Sequence, residues 1–527
     1  MNRDLVIIEA PGKLKRLYGI FEQIGLHADI CATIGHVLEN PDTLRDLGVV
    51  YEDGGFRETM RQPRRADSFS YLKDSLKKCA GRILIATDDD QEGHVIANDV
   101  ADLIVAMGIR QPVYRLMFAG LDRISVLDGL NRLQPMNPAY AVPGTARRIA
   151  DRLIAAGFSD FDHHRPVGRV QSALLGMIDR GVPHSHVNVK MPAADGGRPF
   201  LGALPVFGAS NPAQLIAEMG LHDLPPAPVA KSEVAGMATP PNYGDLLLDI
   251  NTMLGMDIEK AADLLQQMYE SGDISYPRTL SKSYTLAGSQ AVERLARLQG
   301  IIAFKRERLP VLDRTHSAGA HEAIRLMEDA LTRRMDLGKP LKLHASDREA
   351  VLAILARRSI EAGIPVLRDT PDLSGAPEWA RGLEWSRDTR RTILPWRLPE
   401  PSPVVWHNQK AEMVRQMMAS HVGRPSTWAS HAGKFISRDL VDHSFRLTGK
   451  GRDWLEHAPK ALVDLVNSSR IEAMLDDQHA EVGDLVKRAL YAATGGDQVE
   501  FDRLLEKLEV FADGIQDENE NRYRPAF

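Results

Sequence analysis

The chain has 527 residues but only two cysteines, Cys31 and Cys79. Two thiols cannot form a disulfide framework, and a zinc ribbon needs four ligands at close CxxC-type spacing. Both kinds of small scaffold are therefore excluded. The simplest interpretation is a protein of a reducing compartment that binds no zinc.

Long apolar runs are missing as well. No window reaches the ~18 apolar residues of a membrane span, and the N-terminal MNRDLVIIEAPGK carries acidic residues and a proline. We therefore expect no signal peptide, no membrane association and a cytoplasmic location. A GxxxxGK[ST] motif, which forms the phosphate-binding loop of many ATP-binding proteins, is also absent. We therefore expect no requirement for ATP.

An excess of positive charge is the third absence. Lysine and arginine number 65 against 71 acidic residues, which gives a formal net charge of −6. Any role in binding nucleic acid must then rest on local basic surfaces rather than on a global field. With 43% apolar and 26% charged residues, the composition is typical of a globular protein of three or four domains.

Strand-like and helix-like segments alternate in the first part of the chain. Apolar runs at 5–9, 28–34 and 82–86 are typical of strands, whereas the patterns at 11–24 and 95–107 are typical of helices. The alternation predicts a parallel sheet covered on both faces, with a site at the carboxyl ends of its strands. Further on, strand-like segments at 181–238 and 364–405 flank a helical block. That order predicts one strand-rich domain interrupted by an insertion.

An acidic cluster, TDDDQEG at 87–93, directly follows one of these strands. Asp88, Asp90 and Glu92 alternate along the chain, so in an extended turn their carboxylates can converge as the hard oxygen ligands that Mg²⁺ prefers. Glu9 ends another strand and could complete the set or act as an acid. The alternative is an acidic turn that caps the following helix.

Tyr276 lies in the segment GDISYPRTLS, and Arg278 follows two residues later. Tyrosine has an ordinary pKa of about 10, so its attack at neutral pH needs a positive partner or a base. Arg278 is placed for this purpose. The alternative is a tyrosine whose hydroxyl is hydrogen-bonded at a domain surface.

Nine short segments together resemble the type IA DNA topoisomerase family and occur in the order of that family. They extend from about residue 4 to residue 450 and are LVIIEAPGK, ATIGHVLENP, ATDDDQEG, TARRIADRL, VGRVQSALL, TPPNY, MYESGDISYPRT, AHEAIR and VGRPSTWAS. The third segment is similar to the acidic motif of a Toprim domain.

The resemblance implies a reaction and assigns roles to residues. Tyr276 would be the nucleophile that takes the 5′ phosphate of a cut single strand. Arg278 and Lys13 would neutralise the scissile phosphate, and His321 would assist by hydrogen bonding, although it could equally be a satisfied helix histidine. Mg²⁺ would be held by Glu9, Asp88, Asp90 and Glu92. Contacts to DNA would come from His36, Arg147, Asp151, Arg169, Gln171, Glu270, Arg424 and Thr427.

The resemblance also implies an architecture and partners. The expected fold class is multidomain α/β plus α, with an N-terminal Rossmann-like Toprim sheet, helical domains and a strand-rich hinge arranged as a ring. The predicted domains are the Toprim domain at 1–135, a helical strand-binding domain at 136–181 and 405–512, a hinge at 182–238 and 363–404, a tyrosine domain at 239–362 and a flexible tail at 513–527. We expect a nucleoid-associated monomer that acts on single-stranded or negatively supercoiled DNA with Mg²⁺, without ATP or zinc. A helicase or a single-strand-binding protein is a candidate partner.

Several positions depart from the usual motifs of the family. Asp89, Gln91 and His94 replace the Pro, the Arg and the last Glu of DPDREGE, Gly120 ends the segment where FNE is usual, and Leu280 replaces an Asp. Metal geometry could therefore differ.

Two other classes of protein stay open. A Toprim nuclease or primase would share Glu9 and the acidic cluster but would not need Tyr276. A noncatalytic DNA-binding accessory protein would need neither. Covalent attachment to DNA separates the three.

Overall fold

The structure is a computed structural model that describes most of the chain. The described residues are 3–41, 47–52, 55–59, 61–160, 163, 165–183, 185–207, 214, 217, 224–312, 321–331, 335–388, 394–396, 404–406 and 408–513. The chain forms two compact units. The first unit comprises Met1–Asp179, Ser420–Gly423 and Phe435–Phe527, and the second comprises Arg180–Ala419 and Arg424–Lys434.

The described strands are short and are numbered in chain order. They are β1 (Asp4–Ile8), β2 (Ala28–Ala32), β3 (Leu38–Glu39), β4 (Val49–Glu52), β5 (Gly55–Glu58), β6 (Gln62–Pro63), β7 (Ile83–Ile85), β8 (Val113–Arg115), β9 (Ser185–Met191), β10 (Phe200–Val206), β11 (Val229–Gly236), β12 (Pro365–Pro371), β13 (Trp385–Asp388) and β14 (Val404–Trp406).

The described α-helices of the first unit's N-terminal part are α1 (Leu14–Ile24), α2 (Ala66–Lys78), α3 (Gln91–Ala106), α4 (Arg123–Asn131), α5 (Val142–Phe158) and α6 (Arg169–Arg180). Those that follow are α7 (Tyr243–Leu254), α8 (Ile258–Glu270), α9 (Leu286–Leu298), α10 (Glu328–Leu331), α11 (Asp347–Ala362), α12 (Glu378–Arg381), α13 (Gln409–Ala419), α14 (Pro425–Ser437), α15 (Gly449–His457), α16 (Lys460–Val463), α17 (Leu465–Met474), α18 (Val482–Ala493) and α19 (Gln498–Asp513). None of the helices described here is long and apolar enough to cross a membrane.

A four-stranded parallel sheet forms the core of the first unit, in the order β2-β1-β7-β8. Its central strand β1 reads DLVII, and Val6, Ile7 and Ile8 have no solvent exposure. Such a continuous apolar run is expected for a strand that is covered on both faces. Each of these side chains stabilises the fold by about 2 kcal/mol through burial. The sheet predicted from the alternating segments is confirmed.

The second unit contains a six-stranded sheet in the order β11-β12-β13-β10-β9-β14. Its pairings are antiparallel, and its strands come from two segments, 185–236 and 365–406. The helices α7–α11 lie between these segments in the chain, so an insertion interrupts the sheet as the sequence predicts.

The predicted fold class is confirmed in its parts: an N-terminal parallel sheet, many helices and an antiparallel sheet domain. The ring arrangement and the domain boundaries stay predictions. The predicted tail at 513–527 lies outside the described residues except for Asp513, which ends α19.

Candidate active site

The first candidate site forms at the carboxyl ends of neighbouring strands. Strands β1 and β7 run parallel with Ile7 opposite Ile85, so Glu9 and the acidic cluster leave the sheet at the same edge. Lys13 follows in the turn between β1 and α1, where its side chain is fully buried and donates a hydrogen bond to Asp88. The sequence therefore predicts correctly which segments meet here.

Negative charge is concentrated around Glu9. Burial is the largest cause that raises the pKa of Glu9, followed by the charges of Asp88 and Asp90, and the result is a pKa of about 8 against an ordinary value of 4.5. Lys13 opposes the shift without cancelling it, and Glu92 adds to it. In the metal-free protein Glu9 is therefore mostly protonated at neutral pH.

Asp90 has a second role as the N-cap of α3. Its Oδ1 accepts a hydrogen bond from the backbone N–H of Gly93 at 2.7 Å, so the capping alternative is correct for this residue. Gly93 is required by close approach, since a Cβ built there would lie 2.0 Å from the carbonyl oxygen of Asp88. The acidic loop is thus folded tightly against the first turn of the helix.

The donor chemistry of this loop fits Mg²⁺. The carboxylates around Glu9 repel one another, and a divalent cation would remove that repulsion. Among the described residues, however, no three His, Cys, Asp or Glu side chains already stand in a metal-binding arrangement. Lys13 supplies the positive charge at Asp88 in this structure.

Arg115 is a member of this site that the sequence reasoning missed. Its side chain lies beneath the acidic loop with 3% exposure and donates hydrogen bonds to the carbonyl oxygens of Ile85 at 2.9 Å and Asp88 at 2.8 Å. Burial lowers the pKa of Arg115, whereas the charges of Asp89, Asp88 and Asp90 raise it. A charged residue at the end of the short strand β8 was the available signal.

Two of the motif departures lie side by side. His94 Nε2 is 3.3 Å from Asp89 Oδ1, and the His94 ring packs against Tyr140 with centroids 5.3 Å apart. Asp89 and His94 replace a proline and a glutamate of the usual motif. The exchange therefore places an acid and a base in contact across the loop.

The turn that carries His36 is strained. Ile34 has a φ of 60°, which is unusual for a β-branched residue, and its N–H donates to the carbonyl oxygen of Glu9 at 2.9 Å. Burial, followed by the charges of Arg148 and Arg64, lowers the pKa of His36 to about 4. His36 Nε2 lies 4.0 Å from Glu92 Oε1. His36 is therefore neutral at physiological pH.

The raised pKa of Glu9 predicts a pH-dependent stability for the metal-free protein. A carboxyl group whose pKa is higher in the folded state stabilises the fold fully below its ordinary pKa of 4.5, and this stabilisation is lost as the pH rises through 8. Glu9→Gln removes the loss. We expect the free energy of unfolding of the variant to exceed that of the wild type at about pH 8, by roughly 2 to 4 kcal/mol, and to match it near pH 4.

Urea unfolding followed by circular dichroism in EDTA at the two pH values measures this difference. Glu22→Gln, at an exposed position of α1, controls for the loss of one carboxylate. A stability gain of Glu9→Gln that is the same at both pH values would contradict the prediction.

The second candidate site is the loop that carries Tyr276 in the second unit. The loop is held on one side by the segment 321–327, where Ser275 N–H donates to Arg325 O at 2.9 Å and Arg325 N–H donates to Ser275 Oγ at 3.0 Å. On the other side, Tyr243 N–H donates to Thr279 O at 3.0 Å. Three separate sequence motifs therefore converge on Tyr276.

Tyr276 is enclosed by aromatic rings. Its side chain has 2% exposure, its ring stacks on His321 with centroids 4.3 Å apart, and the Tyr269 ring meets it edge-on at 5.3 Å. The His321 Nε2 atom is buried without a hydrogen-bond partner among the described residues. The structure thus brings Tyr276 and His321 together as the sequence analysis expects.

A buried ion pair that the sequence reasoning did not single out anchors this loop. Glu322 accepts hydrogen bonds from Thr285 Oγ1 at 2.7 Å and from Arg325 Nε at 2.7 Å. Gly288 lies so close that a Cβ there would be 2.2 Å from Glu322 Oε2. Separation of the two side chains would leave an unpaired charge buried in the protein, which costs free energy. The pair therefore holds the segment 321–325 in place.

The other predicted residues of the second unit lie at half-buried positions. Arg278 acts on the neighbouring Tyr243. Burial raises the pKa of Tyr243, the positive charge of Arg278 lowers it, and the resulting pKa is about 12. Glu270 ends α8 and accepts a hydrogen bond from Gln266 at 2.9 Å. Thr427 Oγ1 donates to the carbonyl oxygen of Arg424 at 3.2 Å.

Three of the predicted DNA-contact residues of the first unit, Arg147, Asp151 and Arg169, lie in a network of ion pairs. Arg169 Nε donates to Asp151 Oδ1 at 2.8 Å, and the Arg169 side chain is only 1% exposed. Burial lowers the pKa of Arg169, but the negative charges of Asp151 and Glu472 have the larger combined effect. The pKa of Arg169 is therefore raised above its ordinary value. Gln171 accepts a hydrogen bond from Arg438 at 3.0 Å. The assignment of these residues to DNA contact stays a prediction.

Comparison with known proteins extends these observations to the whole chain. Residues 4–119 match the Toprim domain family. The DNA topoisomerase 1 of Aquifex aeolicus is 25% identical over 83% of this chain and 87% of its own length, and that of Thermotoga maritima is 23% identical over 83% and 75%. The structure of full-length topoisomerase I from Thermotoga maritima covers 97% of this chain and 90% of its own, with a TM-score of 0.59 and 19% identity. With its motifs in order and its relatives matched over most of its length, the chain belongs to the type IA topoisomerase family with a Toprim domain.

Proposed function

We propose that the chain is an ATP-independent type IA DNA topoisomerase that cuts one DNA strand with Tyr276, lets a strand pass and rejoins the break. The observation that carries the proposal is the convergence of three motifs on Tyr276, with His321 stacked on its ring. A tyrosine that served only the core would not need beside it a buried histidine nitrogen that has no hydrogen-bond partner within the described part of the chain.

In the cleavage step, the Tyr276 oxygen attacks the phosphorus of a phosphodiester. A bond forms between that oxygen and phosphorus, the bond to the 3′ oxygen breaks, and the phenolic proton is released. The product is a 5′ phosphotyrosyl ester and a free 3′ hydroxyl, so the energy of the broken bond is kept in the ester. Rejoining reverses the step and needs no nucleotide.

Positive and hydrogen-bonding groups of this chain would stabilise the charge that develops on the phosphate. Arg278 follows Tyr276 by two residues, and His321 can donate a hydrogen bond through its imidazole. Lys13 is buried and pairs with Asp88. Glu9 would share in the proton transfer to the leaving 3′ oxygen.

Mg²⁺ would be held by Glu9, Asp88, Asp90 and Glu92 and, when bound, would neutralise charge at the phosphate. Glu9 and the acidic loop leave the sheet at the edge where β1 and β7 end, and the charges of Asp88, Asp90 and Glu92 all act on Glu9, which supports this assignment. DNA with single-stranded character would be the substrate, so relaxation of negative supercoils or decatenation would be the outcome.

The proposal is tested with negatively supercoiled plasmid in Mg²⁺ without ATP. Relaxation together with protein linked to the 5′ end of the cut strand on denaturing gels is the expected result. Nicking that leaves free ends would favour a Toprim nuclease, and binding without cleavage would favour a noncatalytic DNA-binding protein.

His321→Phe tests the role of the imidazole. Phenylalanine keeps an aromatic ring to stack on Tyr276 but cannot donate a hydrogen bond, so we expect covalent-complex formation to slow by about 10- to 100-fold with little change in thermal stability. Single-turnover cleavage of a labelled single strand gives the rate. His344→Phe, at another half-buried histidine of the second unit, is the control. An unchanged cleavage rate in His321→Phe would assign His321 to packing alone.

A further inference from the structure

A buried carboxylate outside all nine motifs joins several of them in the first unit. Glu472 lies near the end of α17 with 4% exposure. Its Oε2 accepts a hydrogen bond from Arg147 Nη2 at 3.0 Å, and its Oε1 lies 2.7 Å from Arg169 Nη1 and accepts from the N–H of Gly423 at 3.2 Å. One side chain therefore connects three of the segments that carry the predicted DNA contacts.

A second carboxylate reaches the same arginine from the solvent side. Asp476 follows Glu472 by four residues, and its Oδ1 accepts hydrogen bonds from Arg147 Nη2 at 3.1 Å and from Gln91 Nε2 at 2.8 Å. The side chain of Asp476 is 43% exposed, whereas that of Glu472 is 5% exposed. Glu472 is thus fixed in place, while Asp476 can move into water.

We infer that Asp476 occupies the outer side of Arg147 where a phosphate of a bound single strand would sit, and that the strand displaces it. This inference rests on the proposed function, because it takes DNA as the ligand. A carboxylate and a phosphate each offer a guanidinium group anionic oxygens that can accept its hydrogen bonds, singly or as a pair. Asp476 is therefore an affinity-determining residue of the strand-binding surface.

The charges of the cluster support a displaceable group. The ion pairs join Arg147 and Arg169 to Asp151, Glu472 and Asp476, so two guanidinium groups face three carboxylates. A DNA phosphate that approached Arg147 would compete with Asp476 for its outer side. Exchange of Asp476 for the phosphate leaves Arg147 paired and moves the carboxylate into solvent.

Gln91 makes this exchange possible. Its side-chain carbonyl accepts a hydrogen bond from Arg147, and its amide donates one to Asp476. The usual motif of the family has an arginine at this position, which would hold Asp476 with a full positive charge. A neutral amide binds the carboxylate less strongly, so the charge on Arg147 dominates the contact.

Asp476→Asn tests the inference, with Asp477→Asn as a matched control. Both variants lose one negative charge at neighbouring exposed positions, but Asp477 bonds the N–H of His479 rather than an arginine. We expect Asp476→Asn to bind a labelled single strand about three- to tenfold more tightly at low salt. The slope of log K against log salt should be nearly unchanged, because Arg147 contacts the same phosphate in the wild type once Asp476 has moved. Asp477→Asn should change the affinity by less than about twofold.

Fluorescence anisotropy over a range of salt concentrations gives both quantities. Arg147→Ala in the Asp476→Asn background should remove the gain. An affinity of Asp476→Asn that equals that of Asp477→Asn, or is weaker than wild type, overturns the inference, as does a wild type that binds no single strand. The assay needs no cleavage. Binding that follows the expected pattern in a protein that forms no tyrosine adduct would therefore overturn the proposed function and leave this inference standing.

Discussion

Tyr276→Phe should abolish the covalent complex with DNA. The substitution removes the phenolic oxygen and keeps the ring that packs between Tyr269 and His321, so the fold should be retained. Because Tyr276 is the proposed source of the ester oxygen, relaxation of supercoiled plasmid should fall by at least about 10⁴-fold, below detection. Plasmid relaxation and denaturing gels with an end-labelled strand measure the two losses.

Tyr269→Phe is the matched control for this experiment. Tyr269 is also buried, at 1% exposure, and its ring contacts that of Tyr276. The same atom is removed from a neighbouring tyrosine, and we expect relaxation to stay within about threefold of the wild type. A covalent adduct that persists in Tyr276→Phe and disappears in Tyr269→Phe would move the nucleophile to Tyr269.

The outcome also decides between the three classes of protein that the sequence left open. Loss of both relaxation and adduct in Tyr276→Phe supports the topoisomerase. Nicking that survives the substitution indicates a nuclease that uses the Toprim carboxylates alone. A wild-type protein that binds DNA and never cuts it would be a noncatalytic accessory protein.

Asp90→Asn should lower activity at limiting Mg²⁺ by about 100-fold or more, with partial recovery at high Mg²⁺. Asp90 has two roles that this substitution separates. Asparagine caps a helix as well as aspartate does, so the hydrogen bond from Gly93 N–H can remain while the negative charge is lost. The thermal midpoint should therefore change by less than about 2 °C.

Asp122→Asn provides the control, because Asp122 caps α4 in the same way, with Ser125 N–H donating to its Oδ1 at 2.6 Å. Both variants replace an N-cap aspartate within the first 135 residues, but Asp122 is not part of the acidic loop. Titration of relaxation against Mg²⁺ distinguishes them. Equal Mg²⁺ dependence in the two variants would remove Asp90 from the proposed metal site.

Much of the local structure could be predicted from the sequence. The strand expected at 82–86 is β7 at Ile83–Ile85, and the helix expected to end near residue 24 is α1, which ends at Ile24. The helix expected at 95–107 begins earlier, at Gln91, because the N-cap bond of Asp90 starts it. The spacing of apolar residues predicts the middle of a helix or strand well, whereas the position of a helix end depends on a single capping hydrogen bond.

The sequence reasoning found the residues of the candidate site that lie in motifs and missed those that act from outside them. Arg115 is the last residue of a three-residue strand with no distinctive pattern, yet it lies under the acidic loop. Glu472 is one of many acidic residues on helices, yet it holds Arg147 and Arg169. Neither residue could be recognised without contacts between positions that are far apart in the sequence. Arg115 and Asp88, for example, are separated by 27 residues.

The sequence by itself determined the parallel sheet near the N-terminus, the interruption of the strand-rich region and the order of the nine segments. Periodicity and turn residues act over short distances, so they can be recognised without the tertiary structure. Only the tertiary structure decided which charges are compensated. It pairs Lys13 with Asp88, places Asp89 beside His94 and raises the pKa of Glu9 through burial. Burial and Coulomb interaction depend on distances between segments that are far apart in the chain, and those distances exist only once the core has packed.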